Sequence, residues 1–116
     1  MLNFTQHPAT PEQLAAGVID LLPNQRKHLI DRLTVNSLPT KVEIGHRCAD
    51  IAQLALDLDA TEVMIGCAPW MMATLERWLT YHGIKFFYAF SVRVSKETLT
   101  EGVIVKTSEF KHAGFI

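Results

Sequence analysis

The sequence has 116 residues, of which 48% are hydrophobic and 20% charged, and its formal net charge is −1 at pH 7. These values predict one globular domain with an ordinary core and exclude a disordered chain. A charge this close to zero excludes strong binding to long nucleic acid, although residues 84–116 carry five Lys or Arg against three Glu and could serve a small anion. No apolar run approaches the ~20 residues of a membrane span and the start lacks a secretory signal, so we expect a cytoplasmic protein with no membrane contact.

The first third of the chain predicts a short strand followed by two helices. The strand covers residues 2–5, and the segment Thr10–Gln13 is a capping box that opens a helix ending near residue 17. Residues 18–20 form a candidate second strand. A proline then opens a helix expected over residues 23–33.

The remaining elements alternate between helix and strand. We expect helices over residues 41–58 and 69–82, the first opened by a second capping box, Thr40-Lys41-Val42-Glu43. Strands are expected over 62–66, 84–94 and 102–110. The first of these helices has an apolar stripe with helical spacing, formed by Ile44, Cys48, Ile51, Ala55 and Leu58. The apolar face expected for the second helix comprises Trp70, Met71, Leu75, Trp78 and Leu79.

Together these elements predict an α/β fold, with one domain over residues 1–116. A helix between two strands, as in residues 62–90, connects parallel neighbours in a sheet. We therefore expect a three-layer Rossmann-like sandwich with a small, mostly parallel sheet and an antiparallel C-terminal hairpin that turns at Glu101-Gly102.

Ligands of open α/β sheets bind beyond the carboxyl ends of the strands. Three segments are expected there, namely Thr5-Gln6-His7, Gly66-Cys67-Ala68-Pro69 and Ser91-Val92-Arg93. A histidine can meet a phosphate or carry a proton, a glycine before a helix start exposes backbone N–H groups to an anion, and an arginine suits phosphate.

Each of these residues also has a simpler interpretation. His7 could be a turn histidine bonded to nearby backbone, Gly66 could merely turn the chain, and Arg93 could be a strand-edge arginine in water. Lys111 and His112 could form a solvated basic end. The chain has no phosphate-binding loop, nucleophile elbow or zinc-finger spacing, so we expect no metal and no cofactor, and the two cysteines are expected to be reduced.

Two segments carry a family resemblance. The first is Phe4-Thr5-Gln6-His7-Pro8-Ala9-Thr10-Pro11-Glu12-Gln13, and the second combines Tyr88-Ala89-Phe90-Ser91-Val92-Arg93 with Phe110-Lys111-His112-Ala113-Gly114-Phe115. With the strand-Gly-helix segment between them, they resemble the small CRISPR-associated proteins of CARF-like (Rossmann-type) fold that include ring nucleases.

The resemblance implies a homodimer that binds cyclic tetra-adenylate in a pocket across its two-fold axis and cleaves it without metal. The attack of a ribose 2′-hydroxyl on the adjacent phosphorus would end type III CRISPR signalling. The resemblance assigns catalysis to His7 and Arg93. It assigns ligand binding to Gln6, Thr10, Gly66, Ala68, Ser91, Lys111 and His112.

The segment after the middle strand lacks the acidic residue or second glycine expected from the resemblance, and no general base stands beside Arg93 in the sequence. The alternative is a non-catalytic protein, either a nucleotide sensor or a partner-binding accessory protein of a mobile element.

Overall fold

The computed structural model describes all 116 residues and contains two separate sheets. Strands β1 (Leu2–Phe4), β2 (Glu62–Ile65) and β3 (Lys85–Phe87) form a parallel sheet in the order β1-β2-β3. Strands β4 (Ala89–Thr100) and β5 (Val103–Phe115) form an antiparallel hairpin. The α/β class, the parallel sheet and the C-terminal hairpin are confirmed.

Four helices connect the strands of the parallel sheet, and their starts agree with the prediction. They are α1 (Pro11–Ala15), α2 (Pro23–Leu33), α3 (Lys41–Asp57) and α4 (Pro69–Tyr81). Three of them begin with proline, which fits the first helical position because its missing N–H would have no partner there. None of the helices is both long and apolar enough to cross a membrane.

The predicted capping box forms at α1, whereas at α3 only its threonine half forms. Thr10 Oγ1 accepts a hydrogen bond from Gln13 N at 3.2 Å, and Gln13 Oε1 accepts one from Thr10 N at 3.0 Å, which completes the capping box of α1. At α3, Thr40 Oγ1 accepts a hydrogen bond from Glu43 N at 3.1 Å. The Glu43 carboxylate instead lies 3.2 Å from Arg47 Nε.

The core lies between the parallel sheet and the helices. Cys48, Ile51 and Ala55 of the predicted α3 stripe are fully buried, whereas Ile44 and Leu58 are partly buried at its ends. The helix α4 contributes a narrower face than the sequence indicates, consisting of Met71, Leu75 and Leu79. Trp70, expected on that face, is instead 48% exposed.

The predicted strand over residues 84–94 is wrong, because the chain leaves the parallel sheet at Tyr88. The Tyr88 N–H donates to Ile116 O and Ile116 N–H donates to Tyr88 O, both at 2.8 Å, so the backbone here pairs with the C-terminus. The chain then continues as β4 as far as Thr100. The candidate strand at 18–20 is reduced to a single bridge between Ile19 and Leu2.

The hairpin of β4 and β5, hereafter the arm, extends away from the rest of the protein. Its turn lies at Glu101-Gly102, as predicted, with φ values of 51° and 77°. The Cα radius of gyration is 17.1 Å, against about 13 Å for a compact domain of this length. No helix or other strand packs along the arm, so it forms its own sheet instead of an edge of the parallel one.

Candidate functional site

A cavity of about 580 Å³ lies at the carboxyl ends of β1 and β2. Five of the residues to which the resemblance assigns catalysis or ligand binding line it, namely Gln6, His7, Thr10, Gly66 and Ala68. The other lining residues are Thr5, Pro8, Gln13, Leu33, Met64, Ile65, Cys67, Tyr88 and Ala89. The site therefore occupies the edge at which open α/β sheets bind their ligands.

The loop that carries Gln6 and His7 is held by Asn3, which is only 3% exposed. Asn3 Nδ2 donates to His7 O at 2.8 Å, and Asn3 Oδ1 accepts from Thr5 N at 3.0 Å. The Thr5 hydroxyl lies 2.7 Å from Asn3 Oδ1 and 3.1 Å from His7 O. One buried amide thus fixes the backbone on both sides of Gln6.

Two charged residues extend this support. Asp20 Oδ1 accepts hydrogen bonds from Asn3 Nδ2 at 2.8 Å and from Ala9 N at 3.0 Å. From α2, Arg26 donates to Gln6 O at 3.0 Å. The loop takes part in these bonds through backbone atoms of Gln6, His7 and Ala9. The side chains of Gln6 and His7 are therefore not used in them and stay exposed at the cavity.

The opposite wall is the turn from β2 into α4. A Cβ added to Gly66 would meet Thr5 Cγ2 at 3.5 Å, an ordinary van der Waals distance. The fold therefore tolerates a small side chain at this position, and the space above Gly66 belongs to the cavity. Ala68 is the N-cap of α4, and its side chain makes no capping hydrogen bond. The backbone N–H groups of the first turn therefore have no side-chain partner.

Tyr88 and Cys67 are protonated groups in the wall. The Tyr88 hydroxyl donates to Glu76 Oε2 at 2.9 Å. Burial, together with this hydrogen bond and the negative charge of Glu76, raises the pKa of Tyr88 well above its usual value. Burial and the charge of Glu76 also raise the pKa of the Cys67 thiol. At neutral pH neither group is an anion, so neither can act as a ready base or nucleophile.

No Asp, Glu, Lys or Arg lines the cavity. The cations expected at the site lie on the arm, with Ser91 and Arg93 on β4 paired to His112 and Phe110 of β5. Within one chain, Arg93 and Lys111 are exposed and lie outside the cavity that His7 lines. His112 lies at the root of the arm, where its backbone N–H donates to Glu12 Oε2 of α1 at 3.1 Å.

Several residues that shape the site are not among those predicted from the sequence. Asn3 and Asp20 could have been found, because a polar residue inside an apolar strand and a carboxylate beside a loop need partners when they are buried. Gln13 was identified only as a capping residue, although it also lines the cavity. Tyr88 and Arg26 had no local signal, since their partners lie 12 and 20 residues away along the chain.

No group of three or more His, Cys, Asp or Glu side chains lies close enough together to hold a metal ion.

No curated protein and no solved structure matches the sequence. A protein-family model matches residues 1–116, which is the whole of the sequence, and the chain belongs to the family described as the Uncharacterized protein MJ1673 family.

Proposed function

We propose that this protein binds cyclic tetra-adenylate and cleaves it without metal, as a homodimeric ring nuclease of type III CRISPR signalling. The proposal includes a CARF-like, three-layer Rossmann-like arrangement and a cytoplasmic location. It rests on the resemblance of the sequence and on the cavity at the carboxyl edge of the parallel sheet.

The composition of the cavity wall is the observation that carries the proposal. The wall has no carboxylate to repel a phosphate, and it offers hydroxyl, amide and imidazole groups from Thr10, Gln6 and His7. Its volume of about 580 Å³ falls within the range of small-ligand sites. Four nucleotides need more room than this, so a ring shared between two such cavities suits the proposed homodimer.

The residues divide into a pocket on the body of the protein and a source of positive charge on the arm. Gln6, Thr10, Gly66 and Ala68 bind the ring through side chains and close backbone approach. Ser91, Arg93, Lys111 and His112 supply hydroxyl and cationic groups from the arm. They neutralise phosphate charge that the pocket of one chain leaves unpaired.

Cleavage then follows from positioning. The ribose 2′-oxygen attacks the adjacent phosphorus in line with the bond to the 5′-oxygen, that bond breaks, and a 2′,3′-cyclic phosphate and a 5′-hydroxyl form. His7 takes the proton of the 2′-hydroxyl, a proton from the imidazolium or from water goes to the leaving oxygen, and Arg93 stabilises the charge on the phosphate.

The second candidate is a sensor that binds the ring without cleaving it. It is favoured by the small number of candidate bases: burial keeps Cys67 and Tyr88 protonated, which leaves His7 as the one candidate base among the lining residues.

Binding and cleavage by matched variants test the proposal. We expect Arg93→Ala to abolish binding of cyclic tetra-adenylate in calorimetry and to leave the circular dichroism spectrum unchanged. Lys41→Ala is the control, because Lys41 is an exposed cation that lines no part of the cavity. An unchanged affinity for Arg93→Ala would remove Arg93 from the site. An equal loss of binding in both variants would mean that these cations attract the ligand only through non-specific charge.

His7→Ala separates the two candidates. A ring nuclease should lose turnover in this variant by about 10²-fold or more, the contribution of a general base, while it keeps much of its affinity. A wild-type protein that binds the ring tightly and releases it intact would be a sensor.

A further inference from the structure

Several backbone acceptors in the wall of the cavity are already used by the protein itself. The carbonyl oxygens of Gln6, His7 and Thr10 each accept a hydrogen bond from another group of the chain, at 3.0, 2.8 and 2.9 Å respectively. A ligand that needed these oxygens would have to displace an existing hydrogen bond, which costs free energy. This part of the wall therefore suits a ligand that presents mainly acceptors, such as the oxygens of a phosphate.

The capping box of α1 leaves a donor on Gln13. Gln13 Oε1 accepts a hydrogen bond from Thr10 N at 3.0 Å. Because a backbone N–H can only donate, the amide atom that faces Thr10 N is the oxygen, and the other amide atom is Nε2. Nε2 carries two hydrogens and makes no hydrogen bond within the chain. Since Gln13 lines the cavity, the cap fixes the orientation of an unused donor at the site.

The Thr10 hydroxyl is in a similar state. Its oxygen accepts a hydrogen bond from Gln13 N at 3.2 Å, and its hydrogen has no acceptor within the chain. Thr10 also lines the cavity, so the capping box offers an O–H donor and an NH2 donor from neighbouring positions. The wall contains no Lys or Arg, so uncharged donors of this kind carry much of its capacity to bind a phosphate.

We propose that Gln13 is a further ligand-binding residue of this site, and that its Nε2 donates a hydrogen bond to a phosphate oxygen of the ligand. Gln13 then has two roles, because its oxygen holds the start of α1 while its nitrogen favours a ligand rich in acceptors. The inference rests on the proposed function for the identity of the ligand, and on the geometry of the capping box for the contact.

The presence of glutamine instead of glutamate supports this assignment. Capping boxes use either residue at this position, and a carboxylate in the first turn is stabilised by the helix dipole. The stability of α1 alone therefore gives glutamine no advantage. A carboxylate at residue 13 would be the only one in the cavity wall, and it would repel a phosphate there.

Two substitutions at residue 13 separate binding from capping. Gln13→Glu keeps an oxygen for Thr10 N and removes the donor, so its thermal midpoint should stay the same or rise. Gln13→Met removes the donor at similar length without adding a charge. Calorimetry should show that each variant binds cyclic tetra-adenylate about tenfold or more weakly, which is the loss expected for a hydrogen bond to a charged group.

Gln25 provides the matched control. It occupies the same position in α2, where its Oε1 accepts a hydrogen bond from Leu22 N at 3.1 Å, and it lines no part of the cavity. Gln25→Glu and Gln25→Met make the same chemical changes in the same kind of cap, and both should bind the ring as the wild type does. An equal loss in the Gln25 variants would overturn the proposal. A loss confined to Gln13→Glu would do so too, because repulsion alone would then explain it.

Nuclear magnetic resonance with inorganic phosphate tests the contact without the ring. The side-chain NH2 signals of Gln13 should shift as phosphate is added at constant pH and ionic strength, whereas those of Gln25 should not. The spectra of Gln13→Glu and Gln25→Glu identify these signals by their loss. Shifted Gln13 signals in a protein that ignores the ring would keep the inference and remove the proposed function.

The reverse result is equally distinct. A protein that binds the ring, and whose Gln13→Glu and Gln13→Met variants bind it with wild-type affinity, would keep the proposed function and overturn the inference. Gln13 signals that phosphate leaves unshifted, in a protein that also ignores the ring, would overturn both.

Discussion

Replacing Asn3 by alanine removes the residue that holds the loop of the candidate site. The Asn3 amide makes contacts of 2.7–3.0 Å to His7 O, Asp20 Oδ1, Thr5 N and the Thr5 hydroxyl. Each neutral hydrogen bond contributes about 1 kcal/mol net, and one to a charged group about 1.5–3 kcal/mol. Water reaches some of the freed groups because Thr5 and Asp20 are partly exposed, which reduces the sum. We expect Asn3→Ala to lower the free energy of unfolding by about 3–4 kcal/mol.

This loss is large against the roughly 5–15 kcal/mol that stabilises a typical domain. Urea denaturation followed by circular dichroism at one protein concentration measures it, and the midpoint should fall by roughly 1.5–2 M. Gln53→Ala is the matched control, because Gln53 is an exposed amide whose 2.9 Å hydrogen bond to Asp57 lies on the surface of α3. This variant should lose about 0.5 kcal/mol or less. An Asn3→Ala variant no less stable than Gln53→Ala would refute the reasoning.

Three further predictions concern the cap of α3, the buried thiol and the cavity wall. Thr40→Ala should lower the free energy of unfolding by about 1 kcal/mol, because Glu43 N loses its acceptor, and urea denaturation against Lys41→Ala checks it. Burial and the nearby Cys67 raise the pKa of the Cys48 thiol from 9.0 to about 11, so the folded state holds this proton more tightly than the unfolded state. The resulting stabilisation is present below pH 9 and is lost as pH rises toward 11, and Cys48→Ala should flatten this part of the stability–pH curve; equal slopes in both proteins would contradict the assignment. Gly66→Ala should leave the thermal midpoint within a few degrees, because the added Cβ meets only Thr5 Cγ2 at 3.5 Å, yet calorimetry should show weaker binding of cyclic tetra-adenylate.

Local signals predicted the helices and the first two parallel strands well. The starts of α1 and α3 followed from threonine caps, and that of α2 from a proline, all of which act within a few residues. The hairpin turn followed from Glu101-Gly102, where both residues need positive φ. Because these causes are local, they can be read without knowledge of the rest of the fold.

The break at Tyr88 could not be predicted from its neighbourhood. Residues 84–94 form one continuous β-prone run, and the chain divides there because the Tyr88 backbone pairs with Ile116, 28 residues later. The prediction of one strand placed Arg93 at the edge of the parallel sheet, whereas the structure places it on the arm. The same long-range pairing therefore explains both the missed boundary and the separation of Arg93 from His7 within one chain.

The candidate site was predicted in part for the same reason. Gln6, His7, Gly66 and Ala68 follow strands β1 and β2, and parallel strands bring their carboxyl ends to one edge. The supports of the site depend on contacts between distant segments, such as the bond from Arg26 to Gln6 O. Residue type alone gives no sign of such contacts.

Incubation of the purified protein with labelled cyclic tetra-adenylate in EDTA, followed by chromatography of the products, tests the proposed function most directly. We expect linear di-adenylate ending in a 2′,3′-cyclic phosphate, the product of cleavage at two opposite linkages of the ring, at a rate that EDTA does not change and that His7→Ala greatly reduces. Intact ring that does not co-elute with the protein would contradict the proposal.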